Sequence, residues 1–218
     1  MRFGVLGTGM VGQAIGGKLV ELGHEVTMGS RQAGNERAVA WAAEAGERAS
    51  EGSFADAAEF GEMLVNATAG AASVEALEAA GAENLAGKVL IDIANALDFS
   101  RGRPPTLAVC NDDSLAEQIQ RAFPDARVVK TLNTVNASVM VAPEALGEST
   151  NVFVCGNDEG AKAEVKELLQ SFGWREGQIM DLGDISSARG AEMYLPLWLR
   201  LMVALGTAQF NIGVERGD

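Results

Sequence analysis

The stretch that decides the fold is residues 2–31, RFGVLGTGMVGQAIGGKLVELGHEVTMGSR. Residues 2–6 are mostly apolar and run directly into the glycine-rich turn Gly7-Thr8-Gly9-Met10-Val11-Gly12. An apolar helical pattern follows to Leu22, and residues 24–31 then have the pattern of a second strand. A strand, a glycine-rich turn, a helix and a second strand in this order indicate a βαβ dinucleotide-binding unit.

Each glycine of the turn has its own physical task. Gly7 permits the tight turn after the strand, and Gly9 carries no Cβ, so that a pyrophosphate can approach the backbone. Gly12 lets the helix pack closely on the strand, while the free N–H groups of the first helical turn attract an anion. The residues of the turn that we predict to bind the cofactor are Gly7, Thr8, Gly9, Met10, Val11 and Gly12.

The end of the second strand predicts which dinucleotide is bound. An NAD-preferring site usually has Asp or Glu there, but this strand ends in Gly29-Ser30-Arg31. A carboxylate would repel a 2′-phosphate, whereas a guanidinium and a hydroxyl can bind it. We therefore predict NADP(H) as the cofactor, with Arg31 as the main charge partner and Ser30 and Thr8 as hydrogen-bond donors. Arg37 is a weaker candidate on the helix that follows.

The composition excludes several classes of function. The chain has 218 residues, 47% hydrophobic and 22% charged, which is typical of a globular protein. Its net charge of −13 argues against nucleic acid or an anionic membrane as a main partner. Two separated cysteines and one histidine favour neither a metal site nor a Ser-His-Asp triad. Because the sequence starts directly on a predicted strand, we expect no signal peptide and a reduced, cytoplasmic protein.

Further strands and helices alternate along the rest of the chain. Strands are predicted at 47–52, 63–67, 88–93, 127–132, 151–155 and 178–182, and helices at 36–45, 53–60, 73–80, 114–123 and 158–172. This alternation predicts an α/β fold, a doubly wound Rossmann parallel sheet with a small C-terminal helical part. We expect residues 1–155 to form the NADP-binding domain. Residues 156–218 would form the small C-terminal part, which binds the second substrate and dimerises.

Residues just past strand ends are further candidates, because the carboxyl ends of parallel strands face the ligand. Ala67, Thr68 and Ala69 follow one strand and should lie along the cofactor. Asn95 follows the next strand, where it either binds the nicotinamide ribose or carboxamide or serves only as a turn former. Asn133 follows a later strand and is a cofactor candidate for the same reason.

The C-terminal segment 187–212 has a different pattern, apolar and predicted to be helical, with Pro196 kinking or dividing it. The apolar run is interrupted by Arg200 and is shorter than the about 20 residues of a membrane span. A helix that is apolar nearly all round is expected to be buried. It would pack against its own sheet, against a second subunit in a homodimer, or beside a pocket for a planar substrate.

Four motifs together resemble the NADP oxidoreductase family that depends on the deazaflavin coenzyme F420. They are the turn 7–12, the strand end 29–31, the segment Val129-Lys130-Thr131-Leu132-Asn133-Thr134, and the tail from Asp181 to Arg189 with Glu192 and Pro196-Leu197. The resemblance implies a Rossmann fold, usually dimeric, in which nicotinamide and deazaflavin stack and exchange a hydride. It implies that Gly9, Met10, Val11, Ser30 and Arg31 hold NADP, and that Asn133, Ser187 and Pro196 lie near the second ring. Residues 92–113 depart from the best-known deazaflavin enzymes.

Direct hydride transfer needs oriented rings and no side-chain nucleophile, which agrees with the residues present. The accompanying proton would come from solvent or from a hydroxyl such as that of Ser186 or Ser187. Two alternatives stay open. One is an NADPH-dependent reductase of another acceptor, such as a quinone, a flavin or a small carbonyl compound. The other is a non-catalytic NADPH-binding module.

Overall fold

The computed structural model describes residues 1–147 and 150–217. The strands in these ranges are β1 (Arg2–Leu6), β2 (Glu25–Ser30), β3 (Ala49–Ser53), β4 (Met63–Asn66), β5 (Val89–Asp92), β6 (Leu97–Asp98), β7 (Thr106–Leu107), β8 (Arg127–Thr131), β9 (Val152–Gly156) and β10 (Ile179–Asp181). The α-helices are α1 (Met10–Glu21), α2 (Glu36–Ala45), α3 (Phe54–Phe60), α4 (Ser73–Ala80), α5 (Ala82–Leu85), α6 (Leu115–Ala122), α7 (Ala137–Val141), α8 (Glu159–Ser171), α9 (Ala188–Met193) and α10 (Leu195–Leu205).

The main sheet has the strand order β10-β9-β8-β5-β4-β1-β2-β3. All neighbouring strands run parallel except β8 and β9, which are antiparallel. The six adjacent strands β8, β5, β4, β1, β2 and β3 are therefore all parallel. The carboxyl ends of β1, β2, β4, β5 and β8 lie at one edge of the sheet, where a dinucleotide binds in such sheets. The doubly wound α/β fold that the sequence predicted is therefore confirmed.

Two hydrophobic clusters cover the two faces of the sheet, because successive side chains of a strand point to opposite faces. In β1, Phe3 and Val5 belong to one cluster and Leu6 to the other. Helices α1, α2, α7 and α8 contribute to the first cluster, and α3, α4, α5, α6 and α9 contribute to the second. Cys155 lies in the second cluster as a small buried side chain, and burial raises the pKa of its thiol to about 12.

Side-chain caps start several helices where the sequence predicts them. Asn35 accepts hydrogen bonds from the backbone N–H groups of Arg37 and Ala38 at the start of α2. Ser53 and Asp56 form a capping box at the start of α3, with bonds in both directions. Such caps satisfy N–H groups that the helix itself leaves without acceptors.

Two local elements were not predicted. They are the antiparallel hairpin of β6 and β7, whose tip is the loop around residues 101–105, and the short helix α5. The segment predicted to be helical over 187–212 is divided, which was one of the two predicted alternatives, into α9 and α10, which meet at Tyr194, two residues before Pro196. Its predicted extent to residue 212 is wrong. The second ends at Gly206, whose φ of 67° is left-handed, so that residues 206–212 are not helical. Pro196 stands in the first turn of α10, where its missing N–H costs nothing.

Of the settings predicted for the apolar C-terminal helix, burial against its own sheet is not found for α10, and burial by a second subunit stays a prediction. Only Leu195 of α10 is buried, while Leu197, Val203 and Leu205 are 55%, 75% and 56% exposed. No helix in residues 1–147 and 150–217 combines the length and apolar character that crossing a membrane requires. The division of the chain after residue 155 stays a prediction, and Asp218, at its far end, lies outside the described residues.

Candidate functional site

The glycine-rich turn has the geometry that its sequence predicts. Gly7 has a φ of 123°, and its N–H donates to the carbonyl of Gly29 over 2.9 Å, which joins the turn to the end of β2. A Cβ on Gly12 would overlap the carbonyl oxygen of Gly7, so the close packing of α1 requires glycine there. Beside Gly9 there is open space, with nothing within 4 Å of where its Cβ would be. The turn is therefore tight on its inner side and open on its outer side.

A cleft of about 720 Å³ opens at this turn. The predicted site residues that line it are Gly7, Thr8, Gly9, Ser30, Arg31, Arg37, Ala67, Thr68 and Ala69. The other predicted cofactor residues, which do not line it, are Met10, Val11, Gly12, Asn95 and Asn133. The structure thus brings together three separate segments of the sequence, the turn after β1, the end of β2 and the turn after β4, around one space.

The basic end of the cleft lies after β2. Arg31 and Arg37 are exposed, and neither side chain forms an ion pair or a hydrogen bond within residues 1–147 and 150–217. Ser30 is buried, and its hydroxyl donates to the carbonyl of Gln32 over 2.6 Å. Two guanidinium groups are therefore available to an anion, whereas the Ser30 hydroxyl would have to give up an internal bond to donate to it.

Buried polar groups hold the turn after β4 in place. Asn66 is fully buried and donates to Asp92 over 2.8 Å. The side-chain oxygen Oδ1 of Asn66 accepts from the N–H and the hydroxyl of Thr68, and that hydroxyl also contacts the Ser73 hydroxyl over 2.8 Å. Thr68 is therefore oriented by the chain itself, and the turn presents mainly backbone and small side chains to the cleft.

Sequence reasoning missed the residues of the cleft wall that lie outside the strand ends. Phe54 stands at the start of α3, and Ala72, Ala76 and Ala79 lie on or next to α4. The three alanines recur at intervals of four and three residues, the spacing that places side chains on one helix face. Glu75 of α4 also lines the cleft, so this wall carries one carboxylate among its small residues. The spacing of the three alanines was the signal that could have indicated a helix passing close to a ligand.

Asn95 and Asn133 lie together at the same edge of the sheet, outside the cleft lining. Asn95 Nδ2 donates to the carbonyl of Asn133 over 2.9 Å, and Asn133 Nδ2 donates to Asn95 Oδ1 over 3.1 Å. Asn133 also donates to the carbonyl of Ala191 in α9 over 3.0 Å. The ends of the segments after β5 and β8 are thereby joined to each other and to the C-terminal helices.

A buried ionic cluster, which sequence reasoning also missed, lies directly behind these two asparagines. Lys130 on β8 is 2.8 Å from Asp92 and 2.9 Å from Glu192, and all three side chains are at most 2% exposed. Burial on its own would lower the pKa of Lys130, but the two carboxylates outweigh it and raise the pKa above its usual value. The available signal was a lysine in the middle of an apolar strand, which must find buried carboxylates.

The predicted second-substrate residues of the tail are partly committed to internal bonds. The Ser186 hydroxyl donates to Asp184 over 2.5 Å, and this bond lowers the pKa of the Asp184 carboxyl. The Ser187 hydroxyl donates to the carbonyl of Leu182 over 2.7 Å, and Pro196 is exposed. None of the three lines the cleft, so the structure does not bring them into direct contact with that space.

Comparisons with known proteins agree with this arrangement. Residues 2–96 match the family described as NADP oxidoreductase, coenzyme F420-dependent. The solved structure of a candidate F420-dependent NADP reductase from Arthrobacter sp. FB24 is 56% identical. The match covers 99% of this chain and 100% of the Arthrobacter chain, with a TM-score of 0.94.

Two curated proteins match over a shorter stretch. The F420-dependent NADP reductase of Methanocaldococcus jannaschii is 31% identical over 125 residues, which is 56% of this chain and 53% of that protein. The rat metalloreductase STEAP3 is 32% identical over 130 residues, 57% of this chain and 24% of that protein. The chain thus matches about half of one curated relative and about a quarter of the other. With the full-length match to the Arthrobacter structure, these findings confirm the resemblance: the chain belongs to the family of coenzyme F420-dependent NADP oxidoreductases.

Proposed function

We propose that this chain transfers a hydride between NADP(H) and a deazaflavin coenzyme of the F420 type. The assignment of NADP(H) rests on the cleft, which has the open turn at Gly9 and the unpaired Arg31 and Arg37 on its wall. The assignment of the deazaflavin rests on family membership. The residues present fit a 2′-phosphorylated dinucleotide, because they offer free cations and space for a pyrophosphate.

In this proposal each strand end holds one part of the cofactor. Arg31, assisted by Arg37, binds the 2′-phosphate, and the turn from Gly7 to Gly12 binds the pyrophosphate. Thr68 and its neighbours line the middle of the cofactor. Asn95 and Asn133 lie at the nicotinamide side, where the space for the second ring is bounded by the tail that carries Ser187 and Pro196.

In this reaction no side chain of the protein acts as a nucleophile. When bound, the nicotinamide supplies or accepts the hydride, and the deazaflavin is its counterpart. The chain's own residues orient the rings and exclude water, which is the main contribution of a protein to direct hydride transfer. Ser186 and Ser187 already donate their hydroxyl hydrogens within the chain, so a proton from solvent is the simpler source.

The decisive experiment follows the visible absorbance of oxidised coenzyme F420 mixed with purified protein and NADPH. Rapid bleaching, with one NADPH oxidised per deazaflavin reduced, is the expected result. Arg31→Ala serves as the matched control, since it should raise the KM for NADPH and leave the KM for the deazaflavin nearly unchanged. Absence of bleaching at any NADPH concentration would contradict the deazaflavin assignment.

A second candidate is an NADPH-dependent reductase of another acceptor, such as a quinone, a flavin or a small carbonyl compound. The observation in its favour is the hairpin of β6 and β7, which follows Asn95 directly and lies in the segment that departs from the best-known deazaflavin enzymes. NADPH oxidation with one of these acceptors but not with the deazaflavin would support it. Binding of NADPH without turnover of any acceptor would support a non-catalytic module.

The exposed apolar side chains of α10 support a homodimer as part of the proposal. Leu197 and Val203 are more than half exposed in the single chain, and exposed apolar groups of this kind mark interaction surfaces. Sedimentation should give a dimer for the wild type and a monomer for Leu197→Glu with Val203→Glu. Leu22→Glu, at an exposed apolar position on another face, should stay dimeric.

The proposal includes the predicted division into an NADP-binding part, residues 1–155, and a C-terminal part, residues 156–218. It includes a cytoplasmic location as well. Fractionation of the native host, with detection of the chain by antibody, tests the location. A chain found outside the cytoplasmic fraction would contradict it.

A further inference from the structure

We infer that Glu192 is a positioning residue, which holds Asn95 and Asn133 in place for the nicotinamide side of the site. Glu192 does not line the cleft, so its action must pass through other residues. The inference rests on the proposed function in one respect, namely that the nicotinamide lies beside Asn95 and Asn133.

The carboxylate of Glu192 is bound on every side by donors from other elements. Its side chain is 2% exposed, and one oxygen lies 2.9 Å from Lys130 Nζ. The backbone N–H groups of Leu115 and Ala116, at the start of α6, donate to it over 2.8 and 3.1 Å. A carboxylate at a helix N-terminus is favoured by the free N–H groups and the helix dipole. Glu192 therefore joins α9 to α6 and to β8.

From Lys130 the contacts continue to the segment that carries Asn95. Lys130 donates to Asp92, at the end of β5, and also to the carbonyl of Ala94. The N–H of Ala94 donates back to Asp92 over 3.2 Å. The turn that leads from β5 into Asn95 is thus held by the same lysine that Glu192 contacts.

A second link runs from the neighbouring residue of α9 to Asn133. Asn133 donates to the carbonyl of Ala191, which directly precedes Glu192. Leu132, directly before Asn133, is buried and has a φ of 60°, in the left-handed region that residues with a Cβ rarely adopt. Such a conformation persists where the surrounding contacts determine it. The bonds of Asn133 to Asn95 and Ala191 are contacts of this kind.

The cluster could alternatively be only a means of neutralising buried charge. In that case the loss of Glu192 would lower stability and weaken all ligands alike. If Glu192 positions the two asparagines, its loss affects the nicotinamide end of the cofactor and spares the 2′-phosphate end, which is held by the separate segment after β2. The two roles therefore predict different values for one ratio, the affinity for NADP⁺ divided by the affinity for a fragment without nicotinamide.

The test measures the affinities of NADP⁺ and of adenosine 2′,5′-bisphosphate, a fragment without nicotinamide, by titration calorimetry. Glu192→Gln removes the charge of Glu192 with little change in shape. We expect NADP⁺ to bind about tenfold more weakly and the fragment to bind with unchanged affinity, since coupled neighbours affect each other on this scale. Equal weakening of both ligands, or no weakening of NADP⁺, would overturn the inference.

Two further variants complete the design. Glu117→Gln removes another buried carboxylate between α6 and α9, one that binds Arg189 over 2.6 Å but does not contact Lys130. It should leave the ratio of affinities unchanged. In a background with both Asn95→Ala and Asn133→Ala the effect of Glu192→Gln on the ratio should largely disappear, and an undiminished effect would contradict the proposed path.

Glu192→Asp keeps the charge but is too short to reach Lys130 and the start of α6 together. It replaces Glu192→Gln if that variant does not fold, and should weaken NADP⁺ selectively in the same way. These measurements need no deazaflavin. Failure of the proposed hydride transfer would appear as missing bleaching in the wild type, and would leave the affinity ratios to decide on Glu192 independently.

Discussion

Lys130 and Asp92 form an ion pair whose two side chains are completely buried, with 2.8 Å between Nζ and the carboxylate oxygen. They come from adjacent parallel strands and pair directly in register. Buried charges of this kind depend on each other, because one without the other would remain in an apolar core. The pair therefore stabilises the edge of the sheet only as long as both partners are present.

Removal of the lysine is expected to be costly. Lys130→Met leaves Asp92 and Glu192 buried without a cation, and should lower the free energy of unfolding by about 3–5 kcal/mol in urea titrations. Lys162→Met is the matched control. The Lys162 side chain is only 2% exposed, but it lies nearer the surface, and its partners Glu159 and Asp181 have side chains that are 84% and 28% exposed, so that water can replace the lost cation. An equal loss in both variants would show that the buried pair has no special role.

Arg31 is expected to decide between the two dinucleotides. Arg31→Ala removes a charge-assisted contact to the 2′-phosphate and should weaken NADPH by about 1–3 kcal/mol while barely changing NADH. Arg37→Ala should have the same direction and a smaller effect. Fluorescence titration with both cofactors measures the two affinities, and equal weakening of NADPH and NADH would refute the assignment of Arg31.

Two glycines of α1 should respond in opposite ways to a methyl group. Gly12→Ala places a Cβ against the carbonyl oxygen of Gly7 and should both lower the thermal midpoint and weaken NADPH. Gly17→Ala meets nothing within 4 Å and should raise stability by about 0.5–1 kcal/mol, because alanine favours the helix. Thermal unfolding followed by circular dichroism compares them. A stabilising effect of Gly12→Ala would exclude the close packing described for the turn.

Asp113 should make stability depend on pH in the acid range. Its hydrogen bonds with Arg121 lower the pKa of the Asp113 carboxyl from 3.8 to about 2. Since the pKa is lower in the folded state, the stabilisation is present above 3.8 and is lost as the pH falls toward 2. In Asp113→Asn this part of the pH dependence should be absent, and Arg121→Gln should reduce it similarly. Urea unfolding between these pH values measures the slope, which would be unchanged if the pair were not formed.

The local part of the fold could be predicted because its signals are local. The caps Asn35 and Ser53 and the alternation of apolar residues act within one turn or one strand, and they set the limits of α2, α3 and β1. The end of α10 at Gly206 was missed because apolar residues continue beyond it, at Ala208, Phe210 and Ile212. The hairpin of β6 and β7 was missed because each strand has only two residues.

The candidate site also has one part that could be predicted from local sequence and another part that could not. Gly7, Gly9 and Arg31 could be predicted because the turn and the strand end are continuous in sequence with the elements that place them. The relation of Asn95 to Asn133 could not be predicted, because it depends on which strands are neighbours. The exposure of Leu197 and Val203 is of the same kind, since apolar composition does not state which surface covers a helix.

By itself the sequence determined the βαβ unit at residues 2–31, the spacing of the later elements and the lack of an acid at the end of β2. These properties follow from backbone geometry and side-chain charge over a few residues. The tertiary structure alone decided that Lys130 meets both Asp92 and Glu192, and that the carbonyl of Ala191 in α9 accepts a hydrogen bond from Asn133. The physical reason is that these contacts join residues from distant segments, and only the packing of the sheet edge against the C-terminal helices brings them within bonding distance.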